Sequence, residues 1–193
     1  MNHFLSVVLG AAAVVLLSRC DAGKGPDVLL RETADAFKVF AAFPYAVGIS
    51  DADNDVIFQC ITATRKDFDP EAKTVTYVWS LSDGPGKRKH IEFHHTAGAT
   101  PEATNFTVGK STKIEVAYVV WSDYKDCAIT EVSHFSDQCT LWVSKAVEDV
   151  VPLYCLEQFY DVCGVAVPLH DSNLCLDDDN GEERDNDYNA TDA

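Results

Sequence analysis

Residues 75–81, Val-Thr-Tyr-Val-Trp-Ser-Leu, are followed by the turn sequence Asp-Gly-Pro-Gly at 83–86. Successive side chains of a β-strand point to opposite faces, so the four large side chains at the odd-numbered positions share one face. Glycine and proline then favour a tight reversal of the chain. The stretch therefore predicts a half-buried strand that ends in a turn.

Further short strands, separated by turn residues, are predicted on both sides of this one. They are Tyr45 to Ser50, Val56 to Thr64, Ile91 to His95, Thr112 to Ser122, Cys127 to Val132 and Cys139 to Val143. The polar residues 51–55 form a turn between the first two. Roughly eight short strands of this kind are typical of a β-barrel or a β-sandwich.

Helical spacing occurs at both ends of this strand region. Phe37, Phe40 and Phe43 are three residues apart, and Pro44 ends the segment. Residues 152–160 begin with a proline suited to a helix start and lack strict alternation. The predicted fold is therefore all-β with flanking helices, an eight-stranded antiparallel barrel of the lipocalin (calycin) type, with a short N-terminal helix and a C-terminal helix.

The N-terminus carries an apolar run of 13 residues, from Leu5 to Leu17. The run is too short to span a bilayer and fits a secretory signal peptide, predicted as residues 1–22. A bacterial lipobox at 17–20 is the alternative, but Arg19 stands where such sites have a small residue. Signal-peptide cleavage is predicted after the small-residue pattern 18–20 or 20–22, and either cut removes Cys20. The remaining six cysteines of a secreted chain predict three disulfides.

The mature chain is predicted to form one barrel domain, residues 23–176, followed by a disordered acidic tail, residues 177–193. The tail holds eight carboxylates against one arginine, a composition that does not support a packed core. A solvated tail is the favoured interpretation, and a sulfated Tyr188 or a contact with a basic partner protein is the alternative. The net charge of -16 argues against nucleic-acid binding, and no later segment predicts a membrane span.

Two glycosylation sequons occur, at Asn105 and Asn189. Each requires an exposed asparagine in a secreted chain, and Asn105 is predicted to lie in a loop.

An ordered set of residues resembles the tick salivary lipocalins of the histamine-binding-protein family. The set is Asp35-Ala-Phe-Lys38, Cys60, Asp123-Tyr-Lys-Asp-Cys127, Cys139-Thr-Leu-Trp-Val143, Pro152-Leu-Tyr-Cys155, Phe159 and Cys163. The six cysteines alone permit fifteen pairings. The resemblance implies disulfides Cys60–Cys175 and Cys127–Cys155, which leaves Cys139 and Cys163 as the third pair.

The resemblance also implies carboxylates that hold an amine ligand inside the barrel, since a buried ammonium needs an opposite charge. Two of these acids are missing, because this chain has Ala128 and Thr140 at the matching positions. Asp51 or Asp53 can stand in for a family aspartate, or can serve the turn as aspartates commonly do.

Aromatic residues are the remaining candidates for a ligand pocket, because they build apolar sites with few polar groups. They are Phe37, Tyr45, Tyr77, Trp79, Trp121 and Trp142. An ordinary packed core is the alternative for some of them. Trp142 is the strongest candidate, since the resemblance implies that this tryptophan contacts ligand.

The pair His94–His95 lies on a predicted strand, so alternation directs one of the two into the barrel. The histidine that points inward, assigned to His95, permits a fatty-acid or leukotriene-like ligand, as in the eicosanoid binders of the family. A surface or rim position near Lys87-Arg-Lys89 is the alternative for these histidines.

The predicted function is to sequester a small host mediator, either a biogenic amine, as the family implies, or an apolar or eicosanoid ligand. The alternative is an interaction protein that inhibits a host complement or clotting factor through its surface or acidic tail. Motifs typical of hydrolases, metalloproteases and phosphate-binding loops are absent from the sequence, so no enzyme, cofactor or metal is predicted. The protein is expected to be a secreted monomer.

Overall fold

The computed structural model describes residues 33–53, 56–84, 87–134, 138–171 and Cys175. The predicted signal peptide (1–22), the acidic tail (177–193) and the Asn189 sequon lie outside these residues. In the described part of the chain, no helix is long and apolar enough to cross a membrane. Nor does that part place three or more His, Cys, Asp or Glu side chains where they could hold a metal ion.

The strands form a closed antiparallel barrel in which each strand pairs with the next in sequence. Their bounds are β1 Tyr45–Asp51, β2 Thr62–Asp69, β3 Thr74–Ser82, β4 Arg88–Ala97, β5 Ala103–Val108, β6 Glu115–Ser122, β7 Cys127–Val132 and β8 Gln138–Ser144. β1 pairs with both β8 and β2, which closes the barrel. A two-residue β9, Val167–Pro168, pairs with the end of β1. The predicted eight-stranded barrel is confirmed.

Strand alternation divides the apolar side chains into two cores. The inner core fills the barrel and includes Trp79, Phe93 and Phe106. The outer core lies on the other side of β1, β7 and β8 and includes Leu141 and Phe159. The division follows from the two-residue period of a strand, which sends neighbouring side chains to opposite faces.

Two helices of the described chain flank the strands. Helix α1, Ala36–Ala42, begins at Asp35, whose Oδ1 accepts hydrogen bonds from two backbone N–H groups of the first turn. Helix α2, Leu153–Cys163, begins after Pro152 and ends at Gly164, whose φ of +80° suits glycine. Phe159 of α2 is fully buried in the outer core, so α2 covers the outside of the barrel wall.

Three disulfides join the barrel to the segments that follow it. Cys60–Cys175 links the connection after β1 to the chain beyond β9. Cys127–Cys155 and Cys139–Cys163 link β7 and β8 to α2. These are the pairs that the family resemblance implies, and they fasten α2 to the two strands that it covers.

The predicted second strand was wrong in position. Val56 to Thr64 was expected to be a strand, but Val56–Phe58 form a 3-10 turn and β2 runs from Thr62 to Asp69. Phe58 and Ile61 are buried in the inner core, so the apolar run here supplies core side chains from a connection between strands. β2 is mostly polar, and a register shift between Arg65 and Asp67 leaves Lys66 and Asp67 both exposed, so its sequence has no regular alternation that predicts a strand.

The fifth strand was missed, and Asn105 was wrongly expected to lie in a loop. Asn105 lies in β5 opposite Thr96 of β4, and its side-chain nitrogen donates to the Ala97 carbonyl at 3.3 Å. Phe106, the next residue, is buried in the inner core. The sequon Asn-Phe-Thr thus alternates outward, inward and outward, which is the pattern of a strand.

Candidate functional site

The barrel encloses an apolar cavity with a volume of about 70 Å3. All eight barrel strands and α1 contribute side chains to it. The lining residues are Val39, Phe40, Phe43, Ala46, Ala63, Tyr77, Trp79, His95, Thr104, Ala117, Tyr118, Val119, Ala128, Thr130, Val132 and Trp142. Four of these residues are alanines, and their short side chains leave room for the cavity between the aromatic rings.

Helix α1 closes one end of the cavity with Phe40 and Phe43. The Arg65 side chain donates to the carbonyl of Phe40, and the Tyr77 hydroxyl donates to that of Phe43. Burial raises the pKa of Tyr77, so its hydroxyl keeps the proton that it donates. The C-terminal end of α1 is therefore held to β2 and β3, which places its aromatic side chains against the cavity.

The start of α1 is held to the turns at the same end of the barrel. The Asp35 N–H donates to the Tyr124 hydroxyl at 3.0 Å, beside the β6–β7 turn. The Ala36 N–H donates to the Pro101 carbonyl at 2.9 Å, in the β4–β5 turn. Because both ends of this short helix are anchored, α1 forms a fixed wall of the cavity.

Stacked aromatic rings fill the barrel interior toward the opposite end. The ring of Phe93 stacks on Trp79 with centroids 4.3 Å apart and contacts Phe106 at 5.8 Å. His134, in the β7–β8 connection, lies 6.4 Å from both phenylalanine rings and 2.8 Å from a Glu115 carboxylate oxygen. Phe93, Phe106 and His134 are not part of the cavity lining, so they occupy the barrel between the cavity and this end.

None of the described residues that line the cavity is acidic or a lysine or arginine. Ala128 lies in the lining, opposite Trp142 of β8. Thr140 pairs with the cavity residue Thr130 and shares its inward face, although it does not line the cavity. The two positions where the resemblance implied acids therefore do face the barrel interior, and here they carry no charge.

His95 is buried and lines the cavity, and its Nδ1 lies 3.1 Å from the Thr104 hydroxyl oxygen. Burial, and to a smaller degree the neighbouring His94, lowers the pKa of His95 to about 3. The imidazole is therefore neutral at physiological pH, and it brings hydrogen-bonding capacity to the cavity without charge.

The structure brings four of the predicted site residues together in the cavity: Tyr77, Trp79, His95 and Trp142. Phe37 lies in the inner core beside the cavity, where its ring meets Phe40 edge-on. Tyr45 and Trp121 pack in the outer core.

Trp121 lies outside the barrel because of a β-bulge. Val119 pairs with Thr130, whereas Trp121 pairs with Ile129, so two steps along β6 match one step along β7. The extra residue reverses the alternation, and Trp121 faces outward although it is two residues from the cavity residue Val119. Alternation alone could not reveal this reversal.

Asp51 is fully buried at the end of β1 and does not line the cavity. It lies directly opposite Thr140, and one of its carboxylate oxygens accepts from the Ala52 N–H at 2.7 Å. Asp53 accepts from the Gln138 side chain at 2.9 Å. Asp51 therefore shares the inward face of Thr140, and neither aspartate is part of the cavity lining.

Cavity residues that the sequence did not predict as site residues include Phe40, Phe43, Thr104 and Thr130. The helical spacing of the phenylalanines indicated a buried face. Nothing in the local sequence indicated that this face would cover the end of a barrel, since that requires long-range contacts such as Arg65 to Phe40.

Sequence comparisons show which family the chain resembles. The family model described as tick histamine binding protein matches residues 30–172. A comparison with curated protein sequences finds no match.

Solved structures show the same fold. The structure of AM182 in complex with serotonin has a TM-score of 0.58 at 13% identity, covering 74% of this chain and 94% of that one. Japanin from Rhipicephalus appendiculatus, bound to cholesterol, has a TM-score of 0.50 at 13% identity, covering 66% and 93%. Lobster apocrustacyanin A1 has a TM-score of 0.50 at 14% identity, covering 75% and 92%. At these identities the likeness concerns the fold alone.

Proposed function

Because the chain belongs to the tick histamine-binding protein family, we propose that it is a secreted protein that sequesters a small host mediator inside its barrel. The ligand is uncharged and mostly apolar. By removing such a mediator from solution, the protein counters host defence. It acts by stoichiometric binding, without turnover.

The observation that carries this proposal is the lining of the cavity. Aromatic and small apolar residues surround it, and its described lining has no carboxylate. Moving an ammonium group from water into such a site is unfavourable without an opposite charge nearby. The lining therefore favours a neutral ligand over histamine or another cationic amine.

The size of the cavity favours a small ligand. An apolar cavity of about 150 Å3 can hold benzene, whereas the volume here is about 70 Å3. A compact ring compound thus requires only modest movement of side chains such as Phe40 or Trp79. A sterol or an extended lipid requires displacement of the stacked rings at Phe93 and Phe106.

Secretion is supported by the N-terminal apolar run and by the three disulfides. Disulfides persist in oxidising compartments such as the extracellular space. The first of them holds the chain just before the acidic segment 177–193.

That acidic segment favours a second candidate function, inhibition of a basic host protein by charge attraction. It holds eight carboxylates within 17 residues. Deletion of residues 177–193 separates the two functions, since binding in the barrel survives the deletion and inhibition through the tail does not.

Calorimetric titration of the refolded protein tests the primary proposal, with native mass spectrometry to detect any lipid that copurifies. Histamine and serotonin serve as cationic probes, p-cresol as a small neutral probe, and cholesterol and a leukotriene, which carries a carboxylate, as larger lipid probes. We expect p-cresol to bind more tightly than the two amines. Histamine binding with a Kd below about 1 μM, roughly -8 kcal/mol, would contradict the neutral-ligand proposal.

A further inference from the structure

The polar groups of the cavity are mostly satisfied within the protein. The Tyr77 hydroxyl donates to the Phe43 carbonyl. The Trp142 indole Nε1 donates to the Thr130 hydroxyl oxygen at 3.0 Å. Neither donor is available to a ligand unless an existing hydrogen bond breaks.

His95 differs from these groups. Its Nδ1 interacts with Thr104 at 3.1 Å, and its other ring nitrogen, Nε2, has no hydrogen-bond partner among the residues that the structure describes. The ring is held between Phe40 and Phe106, with both centroids 5.3 Å away. Nε2 is therefore a polar atom in a fixed position on a ring that lines the cavity.

The His95–Thr104 pair can either donate or accept without acquiring charge. If the Thr104 hydroxyl donates to Nδ1, then Nε2 carries the proton and donates to a ligand. If Nδ1 carries the proton and donates to Thr104, then Nε2 accepts from a ligand. A ligand carbonyl fits the first arrangement, and a ligand hydroxyl fits either one.

We propose that His95, oriented by Thr104, is the hydrogen-bonding anchor of the cavity, and that it selects an uncharged ring compound bearing a hydroxyl or carbonyl group. This inference rests on the proposed function, since it requires that a ligand enter the barrel. It narrows the ligand class from apolar small molecules to neutral rings with one polar oxygen.

Three observations support this ligand class. Trp79, Trp142 and Phe40 present aromatic surfaces to the cavity, and such surfaces favour flat rings. The cavity is small, as described above. Burial lowers the pKa of His95, so the anchor stays neutral and offers neither a cation to a carboxylate nor an anion to an ammonium.

A set of small probes of matched shape tests the inference. Toluene is the bare ring, p-cresol adds a hydroxyl group, and tyramine adds an ammonium arm to p-cresol. We expect p-cresol to bind about 5-fold more tightly than toluene, which corresponds to one neutral hydrogen bond. We expect tyramine to bind at least about 10-fold more weakly than p-cresol, because the cavity lacks a counter-ion.

Substitution of His95 tests whether this residue causes the preference for p-cresol over toluene. His95→Phe keeps a ring between Phe40 and Phe106 and should abolish the preference for p-cresol over toluene. If the unpaired Thr104 hydroxyl destabilises that variant, His95→Phe/Thr104→Val removes both polar partners and should give the same loss of preference. His94→Phe is the matched control, since His94 is partly exposed and interacts with Thr76; it should leave the preference unchanged.

Nuclear magnetic resonance of 15N-histidine-labelled wild-type protein provides a readout that needs no variant. Addition of p-cresol should shift the His95 Nε2 resonance, and addition of toluene should shift it far less. This measurement reports directly on the atom that the proposal names.

The outcomes distinguish this inference from the proposed function. Equal binding of p-cresol and toluene, or a preference that persists in His95→Phe/Thr104→Val, overturns the role of His95 and leaves a small-molecule-binding barrel. Binding of cholesterol without binding of p-cresol also overturns the inference alone, whereas binding of serotonin without binding of p-cresol overturns the neutral-ligand proposal as well. Failure of every probe, including the larger ones, overturns both.

Discussion

Ala128 of β7 lies directly across the strand ladder from Trp142 of β8, and both side chains line the cavity. Opposed residues in an antiparallel pair point to the same face, so a longer side chain at position 128 would enter the cavity next to the indole ring. The uncharged lining of this cavity depends in part on the methyl group at this position.

The first prediction concerns Ala128→Asp. A carboxylate in the cavity should raise tyramine affinity by at least about 10-fold, because it supplies the counter-charge that an ammonium requires. It should also lower the free energy of unfolding by about 3 kcal/mol in the absence of ligand, because a buried charge is then uncompensated. Calorimetry and urea denaturation measure the two effects.

Ala128→Asn is the control for this change, since asparagine has the same shape without the charge. Similar tyramine affinity in the two variants would show that size, and not charge, controls amine binding at Ala128.

The second prediction compares two tryptophans on opposite faces of the barrel wall. Trp142→Phe should weaken p-cresol binding severalfold, because Trp142 lines the cavity. Trp121→Phe should leave it within about twofold of wild type, because Trp121 packs in the outer core. An effect of Trp121→Phe as large as that of Trp142→Phe would contradict the outward orientation produced by the bulge in β6.

The third prediction concerns stability in acid. The pKa of His95 is lowered from 6.5 to about 3 in the folded protein, so below about pH 6.5 the unfolded chain binds a proton that the folded chain does not. His95 therefore lowers the free energy of unfolding as the pH falls from 6.5 toward 3, by up to about 1.4 kcal/mol per pH unit. Above about pH 6.5 the protonation of His95 no longer lowers the free energy of unfolding.

Urea denaturation at several pH values measures this contribution as a difference between variants. The decline between pH 6 and pH 4 should be shallower in His95→Phe/Thr104→Val than in wild type. Thr104→Val alone keeps the histidine and should retain the wild-type slope. Parallel profiles for wild type and the double variant would refute the prediction.

The fourth prediction ranks two disulfides. Cys60–Cys175 spans 115 residues and Cys139–Cys163 spans 24. Because longer loops lose more entropy on closure, replacing the first pair with serine should lower the free energy of unfolding by about 1 kcal/mol more than replacing the second. Equilibrium denaturation of both double-serine variants tests the order, and a larger loss from Cys139 and Cys163 would reverse it.

Strand prediction succeeded where each strand has one apolar face. The alternation at 75–81 predicted β3 to within a residue at each end, and Cys127 to Val132 matched β7. It failed at β2 and β5. At β2 the apolar residues belong to the preceding connection. At β5 the glycosylation sequon favoured a loop, although it lies within a short strand whose side chains partly alternate.

The candidate site was predictable only in part. Tyr77 and Trp79 face the cavity as alternation indicates, and Trp142 lines it as the family resemblance implies. His95 is the inward member of its pair. Trp121 and Tyr45 lie in the outer core. For Trp121 the reason is a bulge, which changes the register through pairing with β7 and leaves no mark in the local pattern.

The sequence by itself determined the antiparallel barrel, its flanking helices and the chemistry of positions 128 and 140, because side-chain periodicity and residue identity are local properties. Only the tertiary structure decided which side chains share the cavity. Closure of β1 onto β2 and β8, the anchoring of α1 over the barrel end and the bulge in β6 all depend on contacts between residues far apart in the chain. Those contacts leave His95 and Thr104 side by side in a cavity whose described lining is mostly apolar and uncharged.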